Sequence, residues 1–166
     1  MPPTSNLNYV AGATRATHAV VTLAADDSIC VLSMVDSDVI VDVTGSYTSD
    51  PTALLFHPQP PTRIYDSRLS GGAFAANETR AIAVPAGAAA VAINVTVTEP
   101  VASGFVTVFP CQTDLPVVSN LNYVAGQIVP NAFTIGLDPS GAFNIYTPTS
   151  THFIIDMSGY FALPPL

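Results

Sequence analysis

Ser5-Asn6-Leu7-Asn8-Tyr9-Val10-Ala11-Gly12 recurs letter for letter as Ser119 to Gly126, and the offset of 114 residues then holds without a gap to the end of each repeat. Leu23 falls on Leu137, Ile40 on Ile154, Asp42 on Asp156 and Gly45 on Gly159. Residues 5–47 and 119–161 are therefore two versions of one unit, and residues 61–112 lie between them once. Within the octapeptide, Leu7 and Tyr9 alternate with Asn6 and Asn8, and Gly12 closes the run. That is the pattern of a strand with one buried face that ends in a turn.

The same reading extends outward. In the first repeat, residues 18–23, 29–34 and 39–43 are further expected strands, separated by turns at Asp26-Asp27-Ser28 and Asp36-Ser37-Asp38. Val39 to Val43 is apolar on both sides except for Asp42, as expected of a central strand. The single-copy segment predicts strands over 62–66, 78–84, 91–98 and 105–109, with a Gly71-Gly72 loop. The second repeat predicts them near 119–124, 131–137, 142–147 and 152–157. No stretch has helical periodicity with caps. The expected fold is all-β: an antiparallel β-sandwich, jelly-roll-like or immunoglobulin-like, with about eight strands per full module. The expected organisation is a half-module over 1–47, a Pro-rich linker over 48–60 and a full module over 61–166. The full module divides into 61–112 and 115–161. Leu54, Leu55 and Phe56 in the linker are too apolar to float and are expected to dock.

Of the 166 residues, 49% are hydrophobic and only 10% charged, with four Arg, no Lys and a net charge of −8. A nucleic-acid or anionic-membrane partner needs a basic footprint, so neither is expected. No run approaches the ~18 apolar residues of a spanning helix. Met1-Pro2-Pro3-Thr4 has neither the basic nor the apolar region of a signal peptide. The surface composition is still that of a secreted protein, so the expectation is a mature fragment of something longer, extracellular or at the cell surface.

Six motifs stand in order. They are Arg63-Ile64-Tyr65-Asp66-Ser67-Arg68, Ala92 to Thr98, Gly104 to Cys111, Ser119 to Tyr123 with Gly126, Pro130-Asn131, and Ile155-Asp156-Met157-Ser158-Gly159-Tyr160-Phe161. Together they resemble a repeat module of bacterial secreted and cell-surface proteins, of actinobacterial and acidobacterial type. That module opens on R-x-x-D-[ST]-R and closes on D-x-x-G-Y-F. The resemblance spans 61–161 fully, and 5–47 as the second half of another module. It implies an extracellular, non-catalytic module, and it supplies no ligand. It also implies that Cys111 is matched by a cysteine at the place of Cys30, where the second repeat has Asn144.

Cys30 and Cys111 are thus a disulfide candidate, within or between chains, with two buried thiols as the alternative. Arg63, Asp66 and Arg68 are expected to form a structural polar corner. Asp42 and Asp156 are expected to be buried carboxylates satisfied by backbone N–H groups or by Arg. Asn6, Asn8, Tyr9, Asn120, Asn122 and Tyr123 mark either a possible interface or sugar contacts, or simply a strand with Leu and Tyr inward. Asp26, Asp27, Asp36 and Asp38 lack a calcium-loop spacing. His18, His57 and His152 lack a zinc spacing. No catalytic motif occurs, and no cofactor is expected. The reading is a structural surface module that self-associates as a homo-oligomer or fibre through 5–47 or 119–161. The alternative is a carbohydrate- or wall-binding accessory domain with a glycan as partner.

Overall fold

The computed structural model describes residues 4–85 and 87–164. Eight strands run in chain order: β1 Leu55–Asp66, β2 Glu78–Ala83, β3 Ala90–Thr98, β4 Gly104–Pro110, β5 Leu121–Tyr123, β6 Val129–Gly136, β7 Ala142–Thr147 and β8 His152–Ala162. They form two four-stranded antiparallel sheets, in the orders β1-β8-β3-β6 and β2-β7-β4-β5. Between the sheets lie Phe74, Val91, Val95, Val97, Val106, Phe143, Ile145, Phe153 and Ile155, none of them measurably exposed. The alternation that predicted β3 is realised in its register: Val91, Ile93, Val95 and Val97 point into the core, while Ala92, Asn94 and Thr96 are half-buried on the outer face. Among the described residues no helix is long and apolar enough to cross a membrane.

The pairing follows one rule. β1 pairs with β8, β2 with β7, β3 with β6 and β4 with β5. The chain is one long hairpin rolled into two sheets, the jelly-roll arrangement, which chooses between the two outlines expected from sequence. Its first limb is β1–β4 and its second limb is β5–β8. Rolling brings β8 beside β3 and β7 beside β4 as well. First-limb and second-limb strands therefore alternate across both sheets, and no strand is hydrogen-bonded to a strand of its own limb.

That rule explains the main departure from the sequence reading. The strands expected within 5–47 are not formed: residues 4–54 contain only turns, bends and extended chain. The N-terminal repeat is a second limb, and the single first limb already pairs with 119–161. With no ladder partner, its backbone groups face solvent.

Two boundaries also move. Residues 55–60 were expected in a linker but belong to β1, with Leu55 opposite Ala162 and Phe56 opposite Phe161. Their prolines are tolerated because β1 is an edge strand, and the register slips between Pro58 and Thr62. β8 runs on through Gly159 to Ala162 instead of stopping near 157. Gly159 is where β1 crosses closely: an added Cβ would lie 2.5 Å from the Phe56 ring and 2.8 Å from the His57 carbonyl oxygen.

Candidate assembly interface

In the C-terminal repeat, the inward face carries Leu121, Tyr123, Ile135, Phe143, Ile145, Phe153, Ile155, Met157 and Phe161, all buried. The offset places Leu7, Tyr9, Val21, Ile29, Val31, Val39, Val41, Val43 and Tyr47 at the same positions of the N-terminal repeat, and every one is exposed. The contrast is widest at Val43, 85% exposed where Met157 is 3%. Burying an apolar side chain gains about 1.5–3 kcal/mol. Covering this partly shielded face is thus worth on the order of 10 kcal/mol before the cost of ordering the chain.

The bare limb nevertheless keeps the local path of the covered one. Ser5 Oγ donates to the Leu7 carbonyl as Ser119 Oγ does to that of Leu121, at 3.2 and 3.3 Å. The turn bonds Ala13 N to Val10 O and Gln127 N to Val124 O are both 3.1 Å. Ala24 N to Ser28 O repeats Asp138 N to Ala142 O. Asp27 takes the positive φ, 61°, that Gly141 takes at 78°. Tyr9 Oη reaches Ser33 Oγ at 2.8 Å, where Tyr123 Oη reaches Thr147 Oγ1 at 2.6 Å. Local turns and hydroxyl bridges therefore shape this limb without any ladder.

The octapeptide residues divide in the way the strand reading required. In the C-terminal repeat Leu121 and Tyr123 point inward. Asn120 Oδ1 accepts from Val108 N at 2.7 Å, and Asn122 Oδ1 accepts from Ser119 Oγ at 3.0 Å. Tyr123 is buried and its hydroxyl is taken by Thr147 and Thr149, so neither its ring nor its hydroxyl is open to a sugar. Asn8 Oδ1 repeats the bond from Ser5, while Asn6 has no β4 beside it to bond.

Arg63, Asp66 and Arg68 do come together. Asp66 is buried and receives Arg68 Nη2 at 2.7 Å and Nε at 2.9 Å, with Arg63 Nη1 at 3.5 Å. The Arg68 hydrogen bonds hold its carboxyl down at about 2. Ser67 beside it is fully buried: its Oγ meets His152 Nδ1 at 2.8 Å and accepts from Phe153 N at 2.9 Å. The corner thus fastens the end of β1 to the start of β8. Sequence reading missed Arg80, whose guanidinium lies 4.0 Å above the Phe74 ring and bonds Tyr65 Oη and the Gly71 and Gly72 carbonyls. The one available signal was an Arg facing Glu78 two residues away on the same strand face.

Two expectations are corrected. Asp156 is not buried; its side chain is 32% exposed on the outer face, where Arg63 Nε meets it at 2.9 Å, and Asp42 is exposed. β8 points its odd-numbered residues inward as far as Phe161, which sends 156 outward. Cys30 and Cys111 are both free. Cys111 donates to Asn144 Oδ1 at 3.2 Å, the position that corresponds to Cys30, because the second limb that reached β4 is the one carrying Asn144. Burial pushes the Cys111 thiol up, with Asp138 adding to it.

Comparison of the chain with protein-family profiles, curated proteins and solved structures gives no match.

Proposed function

We propose that the protein is a non-catalytic, extracellular structural module that self-associates through its N-terminal half-module, as a homo-oligomer or fibre subunit at a cell surface. The observation that carries this reading is the open apolar face of residues 5–47, whose equivalent in 119–161 is core. Unpaired strand edges and contiguous apolar surface are adhesive. Each chain holds two second limbs and one first limb. Exchange of limbs between identical copies therefore moves the bare limb along without removing it. Contacts that do not close extend into open assemblies. The polar groups that do converge, at Asp66 and at Arg80, are spent on holding loops and strands together. Light scattering over a concentration series, with mass measurement under non-reducing conditions, tests the proposal. The full chain is expected to grow in mass with concentration, and a chain lacking residues 1–47 to stay monomeric. A full chain that remains a monomer at all concentrations overturns it.

A further inference from the structure

The rolled-hairpin pairing specifies what fits the bare limb. In the C-terminal repeat every ladder bond is made to a first-limb strand, and the two limbs share one backbone path in their turns. Marker residues agree. Asp42 stands where Asp156 receives an Arg from β1, and Cys30 stands where Asn144 receives Cys111 from β4. Gly45 stands where Gly159 lets β1 cross, and a Cβ added to it would meet nothing within 4 Å. Charge agrees too. Residues 5–47 carry five Asp against Arg15 alone, whereas 55–112 balances its three Arg, at 63, 68 and 80, with Asp66, Glu78 and Glu99, so a neutral limb meets an acidic one and only Arg63 is offered across to the other limb.

We infer that residues 5–47 are a docking site for a polypeptide with the β1–β4 pattern of residues 55–112, supplied from outside these 166 residues. Such a segment brings an Arg to Asp42 and a cysteine to Cys30. This keeps from the assembly reading above only that a partner covers residues 5–47, and it names a different occupant from a second copy, because a copy has no first limb to spare; the test below separates the two. Joining the two thiols removes two electrons and two protons, which an oxidised low-molecular-weight disulfide takes up while it is reduced to two thiols.

The test mixes the full chain with an isotopically labelled polypeptide of residues 55–112, which has no partner strand of its own, in the presence of oxidised glutathione. The expected result is a 1:1 complex in which the amides of residues 5–43 exchange about ten-fold more slowly or better. The cross-link should join Cys30 to the labelled Cys111. The Cys30→Ser chain should still bind, without the link, and a polypeptide carrying Val95→Asp and Val97→Asp should not bind. Three outcomes overturn the inference: no protection of 5–43, a link from Cys30 to the chain's own Cys111, or protection of 5–43 in the full chain without added polypeptide. In the last case the assembly reading survives and a second copy is the occupant. A chain that neither binds the polypeptide nor self-associates sinks both.

Discussion

Leu7 and Leu121 hold the same place in the same octapeptide, yet one is 37% exposed and the other 1%. The two repeats share their turns, their positive-φ positions and their tyrosine hydroxyl bridges. They differ in having or lacking the first limb. Turn chemistry is local and survives alone. Strand pairing here is entirely between limbs, so it vanishes as a block when the opposite limb is missing. A sequence pattern of alternating apolar residues therefore specifies which face will be buried, but not that it is buried.

Paired substitutions can break or sharpen this contrast. The widest gap is expected between Phe153→Ala and Val39→Ala. The first empties a fully buried ring position and should cost about 3–5 kcal/mol in urea unfolding. The second, at an exposed position, should stay within about 0.5 kcal/mol. Equal losses would mean that the N-terminal repeat is packed after all. Next comes Gly159→Ala, which forces β1 away from β8 and should cost about 1–3 kcal/mol by overpacking. Its partner Gly45→Ala should leave the melting temperature of the isolated chain unchanged, since the added Cβ would meet nothing within 4 Å. Tyr123→Phe removes a buried hydroxyl bonded to two threonines and should cost about 1–2 kcal/mol in the same assay, whereas Tyr9→Phe should be nearly silent.

The smallest effect is acid loss at the corner. The Asp66 carboxyl lies at about 2 in the folded protein against 3.8 unperturbed. Its contribution is complete above about 4 and disappears as pH falls toward 2, because the unfolded chain takes up the proton first. Asp66→Asn should flatten that segment of the stability curve, as read from melting temperature against pH. A chain whose acid profile is unaltered by the substitution would show that the corner is not coupled to folding.

Much of the module was legible because period-2 alternation and turn residues report the same thing. Residues 142–147 were predicted as a strand and form β7 with those bounds. What was not legible depended on distant neighbours. The prolines at 58, 60 and 61 read locally as a linker, and only the edge position of β1 makes them compatible with a strand. The last strand was expected to stop near 157, but it runs on through Gly159, which is a crossing point under Phe56. Asp156 read as inward because its neighbours are apolar on both sides; the register of β8 sends it out to Arg63. Arg80 was missed because its partners come from a loop and from Tyr65, fifteen residues back.

The alternation of limbs also has a consequence in time. A ribosome delivers 5–47 first, then 55–112, and 119–161 last. When synthesis has reached Gln112, the nascent chain already holds one limb of each kind, joined by residues 48–54 in the reverse of the final order. That pair includes both Cys30 and Cys111. In the finished molecule β1–β4 are nevertheless paired with the limb made last, the one richer in phenylalanine. Order of synthesis alone therefore does not decide which limb is paired, and the limb made first is the one left without a ladder.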